Sequence, residues 1–144
     1  MRSLAIAAMG LALVGLIVSV GLIVGGLLDL NEHLRPLGVA DFVGFFAVVW
    51  PTIHLKRQYG GERPWADLYS GCPPWLRRLG YVLMGLGAVL FYWPLVSRGR
   101  GAPAAAGTNL DPSAIGSFGL IVYSACFNQL FSLLRLDDDS PAAG

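Results

Sequence analysis

The chain has 144 residues, of which 55% are hydrophobic and only 13% are charged, and its net charge is +1. Soluble domains carry about 25% charged residues, so this composition would leave large apolar patches exposed to water. The net charge also excludes the basic field with which nucleic-acid-binding proteins neutralise phosphates. We therefore expect a single domain in a lipid bilayer and no nucleic-acid partner.

The first apolar run covers residues 4–28 and contains no charged side chain. A bilayer core takes about 20 helical residues, so this run is long enough to cross it. The start, Met1-Arg2-Ser3, would also suit a signal peptide, but the run exceeds the usual apolar stretch of one and no A-x-A site follows it. The run predicts a transmembrane helix.

The second run, residues 37–55, is largely apolar; Asp41 near its start is its only acidic residue, and Pro51 lies near its end. An acid in the first turn of a helix complements the positive end of the helix dipole. The boundary at residue 37 therefore predicts that Asp41 is solvated at the membrane interface. A proton-coupling carboxylate is the less favoured alternative.

Residues 56–75 form the main polar stretch, in which Trp65 belongs to a predicted short interfacial helix. A third span is predicted at 76–96 and a fourth at 114–134, which completes an all-α, four-transmembrane-helix bundle. Asp137-Asp138-Asp139 would oppose the negative end of the helix dipole, so residues 135–144 are expected to be disordered coil.

Four spans place both termini and the 56–75 loop on one side of the membrane. That side holds seven basic residues, and the opposite side holds three, Arg35, Arg98 and Arg100. Short loops rich in Lys and Arg stay in the cytoplasm. The sequence therefore predicts a multi-pass protein of the inner (plasma) membrane with both termini cytoplasmic. The basic residues on the cytoplasmic side are Arg2, Lys56, Arg57, Arg63, Arg77, Arg78 and Arg135.

Small and amide side chains are the candidates for holding the helices together, because lipid is as apolar as Leu and hydrophobicity cannot do so. Gly21 and Gly25 form a G-x-x-x-G pair in the first span. We expect them to pack inside the monomer, with a homodimer interface as the alternative. Asn128 in the fourth span is expected to form an interhelical contact, with a polar path for a small solute as the alternative.

The sequence offers no set of ligands for a cofactor or a metal ion. Its two cysteines, Cys72 and Cys126, are 54 residues apart, and its two histidines, His33 and His54, fall at opposite predicted interfaces. A structural zinc site takes about four such ligands, and a bis-histidine haem needs its histidines face to face. No nucleophile–base pair is evident either, so we assign no catalytic residue.

Two segments carry a resemblance to a known group. The first is Val49-Trp50-Pro51-Thr52-Ile53, and the second runs from Gly71 to Arg78 as G-C-P-P-W-L-R-R. Over residues 38–96 the chain resembles small uncharacterised bacterial inner-membrane proteins, in which a V-V-W-x-P-like span end precedes a C-P-x-W-[LM]-R run. The resemblance ends after Arg98. It implies bacterial inner-membrane residence and no particular activity.

Two functional hypotheses follow, of which the sequence favours the first. The first is a non-catalytic accessory or assembly protein that acts on another membrane protein through helix and loop contacts, and it predicts no buried charge. The second is a small homodimeric transporter or permeation protein, which needs polar groups deep in the bilayer. For the first hypothesis the candidate contact surface combines aromatic, proline and arginine side chains, with a thiol whose pKa the arginines could lower. It comprises Trp65, Cys72, Pro73, Trp75, Arg77 and Arg78.

Overall fold

The computed structural model describes residues 2–28, 30–60, 71–98 and 112–138. All regular structure in these ranges is helical, which confirms the predicted all-α class with four long helices. The helices are α1 (Arg2–Leu27), α2 (Asn31–Leu55), α3 (Pro74–Arg98) and α4 (Pro112–Asp138), and a π-helical turn (Lys56–Gly60) extends α2.

Helix α4 is the centre of the fold. It contacts α1, α2 and α3, whereas α1 and α2 also contact each other and α3 packs mainly on α4. Its buried side chains are accordingly spread around the helix, and they include Ser124, Asn128, Gln129 and Ser132. Every other helix leaves one broad face on the outside of the bundle.

Helices α1 and α4 approach each other closely because small residues line their contact. The buried face of α1 consists mainly of Ala, Gly and Ser side chains. On α4, a Cβ added at Gly116 would lie 2.6 Å from the main-chain oxygen of Ser19, a separation that only glycine permits. Small residues at helix contacts are what a bundle held together by close backbone packing requires.

One end of the bundle is basic. Ala5 of α1, Leu55 of α2 and Leu130 of α4 belong to one buried cluster, and Cys72, just before α3, bonds to α4 at Asn128. The start of α1, the end of α2, the start of α3 and the end of α4 therefore lie together. This end, here called the basic end, carries the described basic residues Arg2, Lys56, Arg57, Arg77, Arg78 and Arg135.

Three segments are long and apolar enough to cross a membrane: Arg2–Leu27, Pro36–Gln58 and Pro112–Arg135. Helix α3 is not among them, and its first turns contain Arg77 and Arg78. Many large apolar side chains are exposed on the outer faces, among them Ile17 of α1, Val43 of α2 and Val89 of α3.

Two helices extend beyond the predicted spans. Helix α2 begins at Asn31, although its apolar segment, Pro36–Gln58, starts within one residue of the predicted span at 37–55. Helix α4 continues to Asp138, so residues 135–138 are helical rather than disordered coil. Residues 61–70, which include Trp65 and the predicted interfacial helix, and residues 139–144 lie outside the described residues.

Candidate functional site

Asp41 lies in the interior of the bundle, and the prediction of a solvated acid in a first turn was wrong. Because α2 begins at Asn31, Asp41 is well inside the helix, and its residue is only 6% exposed. A carboxylate buried between helices is unusual, since an unpaired charge in an apolar environment is costly. Its surroundings therefore decide what it can do.

Two hydrogen bonds connect Asp41 to the neighbouring helices. The hydroxyl of Ser19 on α1 donates to Asp41 Oδ2 over 3.3 Å. The hydroxyl of Tyr123 on α4 donates to the main-chain oxygen of Asp41 over 2.7 Å. Ser19 and Tyr123 are themselves almost completely buried. The three residues thus join α1, α2 and α4 at one point, which we call the Asp41 cluster.

Gly119 of α4 makes room for the Asp41 cluster. A Cβ added there would lie 2.8 Å from Asp41 Oδ2 and would also overlap the hydroxyl of Ser19. Any larger residue at position 119 would displace the carboxylate or the serine. The close approach of α4 therefore places helix backbone directly beside the acid and leaves no room for a hydrated ion at Oδ2.

The second carboxylate oxygen, Asp41 Oδ1, is buried and has no hydrogen-bond partner among the described residues. The groups that face Asp41 from the adjoining helices are Ser19, which does not titrate near neutral pH, and the Tyr123 hydroxyl. The site therefore has an acceptor oxygen that a proton or a cation could satisfy.

The Asp41 cluster lies about one to two helical turns inside the apolar segments of α1 and α2. Asp41 is five residues from Pro36, where the apolar segment of α2 begins, and Ser19 is eight residues from the end of α1. At a rise of 1.5 Å per residue these separations amount to about 8 and 12 Å. Ser19 lies near the end of α1 that is remote from the basic end. The cluster therefore lies in the half of the bundle opposite the basic end.

A groove of about 140 Å³ opens between α1 and α2 beside this cluster. Asp41 and Tyr123 contribute to its lining, and the rest is apolar. Gly15 and Gly44 flank Tyr123, since a Cβ at Gly44 would lie 3.1 Å from the tyrosine hydroxyl and one at Gly15 would contact its ring. The groove reaches the outer face of the bundle, where several of its apolar side chains are exposed. These are Leu11, Val14, Leu37 and Ala40.

A second polar group lies near the basic end. The side chain of Asn128 contacts Gly80 of α3, and its Nδ2 is buried without a hydrogen-bond partner in the part of the chain that the structure describes. The Cys72 thiol donates to the main-chain oxygen of Asn128 over 3.0 Å, and the amide of Gly71 donates to the Ser132 hydroxyl over 3.2 Å. The segment before α3 is thereby fixed to α4.

The predicted contact surface divides into exposed and buried residues. Trp75 is 65% exposed, and Arg77 and Arg78 are exposed beside it, whereas Pro73 is half-buried. Cys72 is 5% exposed, so placing it in an aqueous loop was wrong. Burial raises the pKa of the Cys72 thiol, and the charges of Arg77 and Arg135 reduce the effect without reversing it. The thiol is therefore not activated.

The structure places the two glycines of the G-x-x-x-G pair in different surroundings. Gly25 is buried against the side chain of Leu34 on α2. Gly21 is exposed, and no described atom lies within 4 Å of a Cβ built on it. Gly25 thus serves packing within the monomer, and Gly21 remains on the outer surface.

No group of three His, Cys, Asp or Glu side chains that could hold a metal ion occurs among the described residues. Sequence reasoning did not place Ser19 and Tyr123 beside Asp41, from which they are 22 and 82 residues distant along the chain. The sequence feature that could have located the site is Asp41 itself, because an acidic residue within a transmembrane segment is by default a candidate functional residue.

Comparison with protein-family models, curated proteins and solved structures finds no match for this chain. The resemblance noted in the sequence therefore stays a prediction, and the function has to be argued from the site.

Proposed function

We propose that the chain is an integral membrane protein that crosses the bilayer four times, with α3 as the fourth span. Three segments have the length and hydropathy of spans. Helix α3 has 25 residues, and Phe91-Tyr92-Trp93 near its end suit an interfacial aromatic belt. The concentration of basic residues at one end supports the predicted orientation, with the basic end in the cytoplasm of a bacterial cell.

We propose further that the protein is a small transport or permeation protein in which Asp41 binds a proton. The observation that carries this proposal is the buried Asp41 carboxylate, whose Oδ1 has no partner among the described residues. An ionised, unpaired carboxylate in a bilayer is costly, so the site has two low-energy states: a protonated carboxyl, or a carboxylate paired with a cation. A carboxyl that takes up and releases a proton in this way can pass protons across the bilayer.

The neighbouring groups suit this role. Ser19 donates to Oδ2 and so holds the carboxyl in place, while Tyr123 fixes the backbone of α2 at the same residue. Because the three groups come from three helices, a change in the charge of Asp41 would alter the packing of α1, α2 and α4 together. A change of protonation can in this way shift the balance between two arrangements of a bundle.

The test is proton flux through the purified protein in liposomes that contain a trapped pH-sensitive dye. A potassium gradient with valinomycin supplies the driving potential. Asp41→Asn should reduce the flux to that of empty liposomes, because the amide keeps the shape of the side chain and cannot titrate. Glu32→Gln, also on α2, is the control and should retain the flux. Equal fluxes in the wild type and in Asp41→Asn would exclude the proposal.

A second candidate is the accessory or assembly protein. It is favoured by the outer face of α3, which packs mainly on α4 and exposes Val82, Leu86 and Trp93. Native mass spectrometry after mild extraction would detect a second membrane protein at a fixed ratio, with Trp75, Arg77 and Arg78 as the first residues to replace. A bare monomer or homodimer would argue against this candidate.

A further inference from the structure

The groove between α1 and α2 has a composition that is unusual for a surface exposed to lipid. Apolar side chains form most of it, yet Asp41 and the buried Tyr123 contribute to its lining. Gly15 and Gly44 pack directly against the ring and hydroxyl of Tyr123, so the tyrosine lies behind their backbone at the edge of the groove. An ordinary lipid-facing groove would need neither an acid nor a tyrosine hydroxyl.

We propose that this groove binds a primary alkylammonium ion, with its chain along the apolar walls and its ammonium group at Asp41. This inference rests on the proposed function and names the class of its substrate. The charge of the ammonium group is complementary to that of the carboxylate. Asp41 Oδ1 has no partner within the described ranges, and the Tyr123 oxygen keeps a lone pair because its hydrogen is donated to the Asp41 carbonyl.

The size and position of the groove fit a short chain. Its volume is about 140 Å³. An apolar cavity of about 150 Å³ in another protein binds benzene, so a ligand with six carbon atoms should fit the groove. Exposed Val14 and Ala40 lie at its opening on the outer face, which the proposed topology turns toward lipid. The ligand therefore enters sideways from the bilayer rather than along the bundle axis.

Proton and alkylammonium ion compete for the same carboxylate. The titratable group that faces Asp41 from α4 is Tyr123, and α1 contributes Ser19, which stays neutral. Binding of the cation therefore releases a proton from Asp41 whenever the carboxyl is protonated, and by linkage a lower pH weakens the binding of the cation.

The experiment uses the purified full chain in a neutral maltoside detergent, with hexylammonium as the probe and hexan-1-ol and hexanoate as its neutral and anionic counterparts. Hexylammonium should raise the thermal unfolding midpoint in a saturable way, and the two counterparts should not. The shift should disappear in Asp41→Asn and in Val14→Phe, which fills the groove. Val24→Phe makes the same substitution on α1 outside the groove and should keep the shift.

An equal shift with hexan-1-ol, or a full shift in Val14→Phe, would overturn the inference. Proton flux in liposomes separates it from the proposed function. Flux that depends on Asp41 but does not change when hexylammonium is added would refute the alkylammonium ligand and leave proton transport intact. A saturable hexylammonium shift without flux that depends on Asp41 would support the binding site and refute transport.

Discussion

Each half of the bundle buries a polar side chain with one atom that has no hydrogen-bond partner among the described residues, but the surroundings of the two side chains differ. Near the basic end, the amide of Asn128 lies against Gly80 of α3, and bonds from Gly71 and Cys72 close that region. In the opposite half, Asp41 lies beside a groove that reaches the outer face. A buried amide within a closed contact is a packing device, whereas a buried acid beside an opening can exchange its partner.

The largest effect is expected from Gly80→Ala at the closed end. A Cβ there would overlap Asn128 Nδ2; overpacking lowers the free energy of unfolding by about 1–3 kcal/mol, and the gain in helix propensity offsets at most about 1 kcal/mol of this. Gly85→Ala on the same helix is the control, because no described atom lies within 4 Å of its Cβ. That variant should gain up to about 1 kcal/mol from helix propensity. Circular dichroism during titration with a denaturing detergent measures the free energy of unfolding of both variants. Equal values for Gly80→Ala and Gly85→Ala would show that the contact at Gly80 is not tightly packed.

The reactivity of Cys72 is the next test of the closed end. Two variants with a single cysteine are compared. The first keeps only Cys72, through Cys126→Ala, and the second lacks both native cysteines and carries Ser3→Cys on an exposed position. Maleimide should label Cys72 about tenfold or more slowly than it labels the cysteine at position 3. Denaturation should remove the difference. A gel-shift assay with a polyethylene-glycol maleimide measures both rates, and similar rates would show that water reaches the thiol.

The pKa of Cys72 also predicts a dependence of stability on pH. Burial raises the pKa above its ordinary value of 9.0, so above that pH the folded thiol retains a proton that the unfolded chain loses. The folded state then binds more protons, and the stability contributed by this group falls as the pH rises above 9.0. Cys72→Ala should flatten this part of the stability profile.

Tyr123→Phe tests the half of the bundle that contains the groove. It removes the 2.7 Å bond to the Asp41 carbonyl and should lower the free energy of unfolding by about 0.5–1.5 kcal/mol. Tyr92→Phe on the exposed face of α3 is the control and should change little. A loss of the same size in both variants would mean that the bond contributes nothing specific.

Ser19→Ala should have the smallest effect. The bond from Ser19 to Asp41 Oδ2 is long, at 3.3 Å, and hydrogen bonds between membrane helices average about 0.6 kcal/mol. Ser3→Ala on an exposed face of α1 provides the baseline. A loss above about 1 kcal/mol would instead indicate that Ser19 stabilises a charged carboxylate, since bonds to charged groups are stronger. The acid would then be ionised in the resting state.

The helices could be predicted from the sequence and the candidate site could not. Long apolar runs mark α1, α2 and α4, which contain the three segments that are long and apolar enough to cross a membrane. The polar segment that opens α2 gives no such signal, and the assumption that the helix starts near Leu37 placed Asp41 in its first turn. The bond from Tyr123 to Asp41 depends on how α2 and α4 rotate against each other, which a single sequence does not specify. The burial of Cys72 likewise depends on how the segment before α3 packs on α4, which a single sequence does not specify.

The central position of α4 has a consequence for biogenesis. Chains are made from the N-terminus, so α1, α2 and α3 leave the ribosome before the helix that all three pack against. Until α4 arrives, Asp41 faces α1 without the backbone of Gly119 or the hydroxyl of Tyr123. The acid therefore gains the groups that hold it in place only when α4, the last of the four helices to be made, packs against α1 and α2.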